Sequence, residues 1–417
     1  MSMLIINIRS VLQAEDQPRR WVAGADMAGL PVLEDSWLFI AGGKIEAVGN
    51  MEEGDRLGKL LAMAGNQVID ASGRMVMPCF CDPHTHLVYA GSREGEFSDR
   101  IRGRSYREIA RKGGGILSST TQLHKTNETE LYEQAMERIS EITQQGTGAV
   151  EIKSGYGLNL KDELKMLRVI RKIGQDSPIT VRSTFLGAHA IPPEYKKEPD
   201  RYVDLVVKEM IPAVAAEKLA DFVDVFCDVG FFSPGQTQRI LEAGLKHGLR
   251  PKIHANELDR SGGIQAGVAC SALSVDHLEF TGEEEIGVLL NSETMPTLLP
   301  GASFFLGLNH APARMIIDSG LPVAIASDYN PGSSPSGNMK LMMSLACVNL
   351  KMLPAEALNA ATLNAAYAMG LEKSHGSIFP GKTASFIITE KIPSWEFLPY
   401  AYGSSLVYKV VIEGVVQ

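Results

Sequence analysis

Residues 82–86 read Asp82-Pro83-His84-Thr85-His86, and they close an apolar run over 75–84, MVMPCFCDPH. In an extended strand residues i and i+2 point to the same side, so His84 and His86 face one point together. Two convergent imidazoles are half of a coordination shell for Zn²⁺ or Fe²⁺. Two unrelated polar residues at a strand end are the competing reading, and the rest of the chain decides between them.

Seven further apolar runs follow, near 148–154, 179–187, 222–228, 250–256, 274–279, 294–300 and 322–328. Each reads as a buried parallel strand. Between them lie helix-like stretches such as ETELYEQAMERISEITQQ, KDELKMLRVIRKIG and PGQTQRILEAGLKHG. Eight strands alternating with helices predict an α/β fold, a (β/α)₈ TIM-like barrel. A doubly wound sheet fits less well, because no G-x-G-x-x-G follows an early strand. The interval 87–128 is long and contains GGGILSST, so a loop over the barrel mouth is expected there.

The ends of the chain have another texture. LIINI, SWLFIAGGKIEAVG and NQVIDASGRMVMP at the start, and GSIFPGKTASFIITE and LVYKVVIEGVV at the finish, are short strand-like runs broken by Gly-Gly and Ser-Gly. Nothing before residue 75 resembles a long amphipathic helix. The expected organisation is a small composite β-sandwich from 1–75 plus 376–417 and a barrel over 76–375.

Composition narrows the partners. With 45% hydrophobic and 21% charged residues, the 417-residue chain has the balance of an ordinary globular enzyme. A net charge of −9 without a basic block argues against nucleic acid and anionic membranes, leaving a small-molecule substrate. Five scattered cysteines contain no C-x-x-C pair, and the apolar run near Arg9 is shorter than a secretory segment. A cytoplasmic location is expected.

The other strand ends decide the H-x-H question. His254 in RPKIHANE, His277 in SVDHLEF and Asp328 in PVAIASDYN all fall at C-terminal strand ends, the face where barrel sites are built. Lys153 ends the second strand and reads as a structural or substrate-facing amine. His124, His247 and His375 are expected in solvated helices or loops, while His310 in LGLNHAPA stays ambiguous. A divalent ion here would lower the pKa of bound water to about 7. Asp328 could take its proton, His277 could orient the water or the developing oxyanion, and Glu257 could pass a proton to a leaving nitrogen.

H-x-H, His, His and Asp at strands one, five, six and eight resemble the amidohydrolase superfamily, as does the flanking β domain. Nine strings in register narrow this further: DPHTHLVYAGSREGEF, SYREIARKGGGILSST, EIKSGYGLNL, TFLGAHAIPPE, DVFCD, HANEL, DHLEF, LLPG and SDYNPGSSP. Together they closely resemble the imidazolonepropionase family. The resemblance implies hydrolysis of the cyclic amide C–N bond of 4-imidazolone-5-propanoate to N-formimidoyl-L-glutamate, in histidine degradation. It implies His84, His86, His254 and Asp328 as metal ligands, and Glu257, His277 and Asp328 as catalytic residues. Arg93, Tyr156, His189, Glu257, Asn330, Gly332 and Ser333 are the implied substrate contacts, with an Arg fork suited to the propanoate.

Binuclear members of the superfamily carry a bridging lysine at the end of strand four. Here that strand ends Phe226-Cys227-Asp228, so one metal is expected, Zn²⁺ or Fe²⁺/Fe³⁺. A homodimer is what the family suggests. Departures are small: Pro78-Cys79 stands where Pro-Gly is usual, and GKTAS replaces GKxAD. Arg93 as a surface ion pair and Tyr156 as a core aromatic are the bland alternatives. A nucleobase-type deaminase, with a similar ligand set, and a non-catalytic scaffold are the rival functions.

Overall fold

A computed structural model describes residues 2–64, 67–104, 108 and 114–417. Its first strands are β1 (Ser2–Leu12), β2 (Val32–Ala41), β3 (Lys44–Asn50), β4 (Val68–Asp70) and β5 (Met75–Pro78). The central ones are β6 (Phe80–Thr85), β7 (Thr147–Lys153), β8 (Thr180–Ala188), β9 (Phe222–Cys227), β10 (Arg250–Pro251), β11 (Ile253–Ala255), β12 (Ser274–His277), β13 (Met295–Leu298) and β14 (Ala324–Ile325). The chain ends with β15 (Phe386–Thr389), β16 (Val407–Ile412) and β17 (Val415–Val416).

Both termini build one mixed sheet in the order β17-β16-β15-β5-β1-β2-β3, with β4 also on β1. The β2–β3 hairpin turns at Gly42 and Gly43, whose φ of 57° and 76° suit the two-residue turn that glycine permits. One face of this sheet packs Ile5, Ile8, Leu38, Ile40, Phe386 and Ile388 together. The other carries Leu4, Trp37 and Phe39, and Leu57 and Leu60 cover it. Those two leucines stand on a helix, Gly54–Ala64. This corrects the expectation that no such helix precedes residue 75: Leu57 and Leu60, at i and i+3, form a stripe short enough to miss among strand-like runs.

The apolar run 75–84 divides between the two sheets. Successive amides point in different directions: Cys79 N donates to Ser385 O of the terminal sheet (3.1 Å), and Phe80 N to Gly146 O at the foot of the barrel (3.0 Å). Pro78 pairs with Phe386, and the chain enters the barrel at Phe80.

β6 to β14 run parallel in the order β14-β13-β12-β11-β9-β8-β7-β6, with helices between them, which is the expected (β/α)₈ arrangement. The fifth strand is β10 and β11 in succession, both paired to β9. Closure lies just above β14: Asp328 N donates to His84 O and His86 N to Tyr329 O, each at 3.0 Å. The helices Glu128–Gln144, Leu160–Asp176 and Pro234–Lys246 start at Asn127, Asn159 and Ser233, whose side chains accept the third helical N–H.

The described residues of 87–128 include the helices Glu94–Ile101 and Ile116–Lys125. Residues 105–107 and 109–113 of SYREIARKGGGILSST lie outside the described ones. No helix among the described residues is long and apolar enough to cross a membrane.

Candidate active site

The strand ends converge as the motif spacing requires. A register irregularity in β6 between Asp82 and Thr85 re-aims His84 and His86, and with His254 they offer ring nitrogens within 4.8 Å of one another. Asp328 completes the ring, its Oδ1 lying 3.6 Å from His84 Nε2 and 3.7 Å from His86 Nε2. Its φ is 55°, a left-handed turn at the end of the eighth strand.

These residues suit a metal. His84 Nε2 is buried without a hydrogen-bond partner among the described residues, while its Nδ1 is held 2.7 Å from Asp276 Oδ2. His254 Nδ1 is likewise held 3.1 Å from Asp224, so its Nε2 points into the cluster. Burial, then neighbouring positive groups, hold His84 and His86 well below the ordinary histidine range, in the neutral form that ligates. Carboxylates behind ligating imidazoles fix their tautomer and plane.

Beneath the histidines the barrel interior is ionic. Lys153 Nζ lies 2.7 Å from Glu151, 2.8 Å from Asp224 and 3.5 Å from Asp276. Lys252 Nζ pairs with Glu151 and donates to Pro83 O at 2.9 Å. Lys153 is therefore turned into the barrel under the histidines. Asp224, Asp276, Glu151 and Lys252 were not singled out from the sequence. The available signal was a charge inside an apolar strand, as in Phe-Val-Asp-Val-Phe.

Glu257 lies just past β11. Asp228 Oδ2 accepts from Glu257 N (2.8 Å) and Leu258 N (2.9 Å), pinning the turn, and Glu257 Oε2 stands 3.7 Å from His277 Nε2. Burial, with Glu279, Asp328 and Asp228 nearby, pushes the Glu257 carboxyl well above the usual range. Asp328 is raised to about 6 by burial, which His254 and the Ser333 and Asn330 hydrogen bonds partly offset.

Tyr156 and His189 line the opposite side. His189 stacks on His86 with ring centroids 5.0 Å apart, and Tyr156 is tilted against both rings. Arg93 meets the loop after the eighth strand: a Cβ on Gly332 would fall 2.0 Å from Arg93 Nη1, so any side chain there would push the guanidinium aside. Glu96 already grips Nε (3.0 Å) and Nη2 (2.6 Å) of Arg93. Asn330 Oδ1 accepts from Gly332 N and Ser333 N, both at 2.8 Å, while Ser333 Oγ donates to Asp328 Oδ2 at 3.0 Å. Asn330 and Ser333 thus brace Asp328.

The other histidines separate. His247 is exposed and His124 bonds Gly157 O at 2.7 Å, both away from the cluster. His375 is a correction: it is buried, 3.1 Å from Thr180 Oγ1 and 2.8 Å from Ser374 Oγ. It seals the foot of the barrel, a tertiary contact invisible in its Gly- and Ser-flanked sequence. His310 is partly buried, and its Nδ1 has no partner among the described residues.

The chain matches the amidohydrolase family over residues 75–416. It is 52% identical over 414 residues, 99% of both chains, to an imidazolonepropionase of Christiangramia forsetii. An imidazolonepropionase of Brevibacillus brevis is 44% identical over 95% of this chain and 93% of its own. Among solved structures, atrazine chlorohydrolase from Arthrobacter aurescens TC1 complexed with zinc superposes with a TM-score of 0.70 at 18% identity, covering 99% of this chain and 94% of that one. An adenosine deaminase from Xanthomonas campestris with bound zinc gives 0.67 at 17% identity, over 100% and 92%. At such identities the solved structures speak for the fold alone. The sequence relatives, matched almost end to end, say more: the chain belongs to the amidohydrolase family, among the imidazolonepropionases.

Proposed function

We propose that this chain hydrolyses the cyclic amide C–N bond of 4-imidazolone-5-propanoate to N-formimidoyl-L-glutamate, with one divalent metal held by His84, His86, His254 and Asp328. The observation that carries this is Arg93 packed on Gly332, beside a buried His84, His86 and His254 cluster, in a chain 52% identical to an imidazolonepropionase. A metal ion polarises what it binds and supplies a nucleophile at neutral pH. The protein does the rest. Arg93 receives the propanoate through Nη1, its orientation fixed by Glu96. Tyr156 and His189 wall the ring against His86. Asp328, braced by Ser333, takes a proton, His277 presents Nε2 to the reacting carbonyl, and Glu257 delivers a proton to the departing nitrogen.

A deaminase of the same fold would need no arginine placed for a substrate carboxylate. Turnover of imidazolone propanoate without ammonia release in the first turnover supports hydrolysis; ammonia in that turnover would overturn it. Elemental analysis should find one metal equivalent per chain, and two equivalents, or none in active enzyme, would refute the mononuclear site. Zn²⁺ or iron, a homodimer and a cytoplasmic setting belong to the same proposal, supported by the family resemblance. Arg93→Lys should raise KM about 10- to 100-fold with metal content intact, since a point ammonium loses charge-assisted bonds worth roughly 1.5–3 kcal/mol. An unchanged KM would leave Arg93 a mere partner of Glu96.

A further inference from the structure

The turn that ends β12 is unusual: His277 and Leu278 both take left-handed backbone, with φ of 85° and 72°. Two consecutive non-glycine residues hold that conformation only where the surroundings over-determine it. The twist brings the side chains of His277 and Glu279, both buried, to one place. Each has one buried polar atom without a hydrogen-bond partner among the described residues, His277 Nδ1 and Glu279 Oε2. Those two atoms face each other across 3.9 Å. Unpaired buried polar atoms are costly, and a shift of about 1 Å would join these into one hydrogen bond.

The carboxyl is anchored on its other side. Ser303, on the helix Pro300–Leu306, donates its Oγ to Glu279 Oε1 at 2.6 Å. Beyond the imidazole, Nε2 lies 3.7 Å from Glu257 Oε2. The ring of His277 therefore sits between two carboxyls, only one of which has a part in the proposed reaction.

We propose that Glu279, held by Ser303, is a positioning residue that fixes the plane and tautomer of His277 through Nδ1. A neutral imidazole has one donor and one acceptor nitrogen, and the partner of one sets the role of the other. Glu279 thereby decides what Nε2 offers to Glu257 and the reacting carbonyl. The inference rests on the role given to His277 above, and it adds a residue that never touches substrate.

The test compares Glu279→Leu, Glu279→Gln and Ser303→Ala with the wild type in kcat, KM, metal content and histidine ¹⁵N spectra. Leucine fills the space without a polar atom, so kcat should fall about 10- to 100-fold, as for other residues that orient a reacting group indirectly. KM and metal content should stay near wild type, and the His277 nitrogen resonances should move. Glutamine can still bond Nδ1 in either sense, so it should restore most of kcat. Ser303→Ala should lose less than leucine, with the same spectral change. Wild-type kcat and an unmoved His277 spectrum in the leucine variant overturn the proposal. So does a glutamine variant as slow as leucine, which would make Glu279 a proton carrier. If the leucine variant does not fold, Ser303→Ala decides: unchanged kcat and unchanged spectrum overturn it. A wild type inactive on imidazolone propanoate refutes the proposed reaction instead, and the ¹⁵N spectra then decide separately on the Glu279 contact.

Discussion

Glu257→Gln should keep the fold and the metal and lose about 10²–10⁴ in kcat, the usual worth of a positioned general acid or base. Opening the imidazolone ring expels a poor nitrogen leaving group, which must gain a proton as the C–N bond breaks. Glu257 is built for that delivery. Asp228 clamps the turn on which it stands, and His277 Nε2 lies 3.7 Å from its Oε2. Burial, then Glu279, Asp328 and Asp228, hold its carboxyl well above the ordinary glutamate range, so the proton is retained towards neutral pH. The sign follows: an acid is active while protonated, so wild-type kcat should fall as pH rises through this raised pKa. Glutamine keeps the shape but carries no such proton, and that alkaline limb should vanish from its residual activity. KM should change little if Glu257 acts mainly in the transition state. A metal-replete glutamine variant with near wild-type kcat would leave the proton to Asp328 or His277.

Strand ends were readable because barrel chemistry concentrates there and each ligand follows an apolar run. His84, His86, His254, His277 and Asp328 could be placed on one face from spacing alone, and the structure brings them together. Arg93, Tyr156 and His189 were not readable that way: they stand on loops whose approach is decided by tertiary packing, and only resemblance singled them out. The interior of the barrel was least readable. Glu151 and Lys153 alternate on β7 as period two requires, yet nothing local says that Asp224, two strands away, meets the same ammonium at 2.8 Å. Glu279 was hidden for another reason. In a regular strand i and i+2 share a side, but Glu279 lies beyond the end of β12, and left-handed backbone at His277 and Leu278 sets where it points. The helix Gly54–Ala64 and buried His375 were missed because each is secured by a partner distant in sequence, the terminal sheet for one and Thr180 for the other.

Lys153→Met should destabilise the metal-free protein by about 3–5 kcal/mol, the range for removing one partner of a buried ion pair. The lysine side chain is fully buried among Glu151, Asp224 and Asp276. Burial works against its charge, but Asp224, Glu151 and Asp276 outweigh that and hold the ammonium above the ordinary lysine range. Methionine matches the stem in volume, so the loss is electrostatic rather than a cavity: three buried carboxylates would remain with Lys252 alone. The pH dependence separates this from a packing defect. A lysine pKa raised on folding contributes fully below its unfolded value and is lost only as pH rises through the folded one, so the wild-type contribution is complete at neutral pH. In the variant Asp224 lacks its ammonium partner. Asp224, held below the usual range by His254 and Lys153 against the opposing effect of burial, would move upward and take up protons on acidification. The deficit should therefore be greatest near neutral pH and shrink towards acid. Chemical unfolding of chelator-treated wild type and variant across that range measures it. Equal midpoints at pH 7 would mean that Asp224 is already protonated in the folded protein, and that the lysine is not what keeps it charged behind His254.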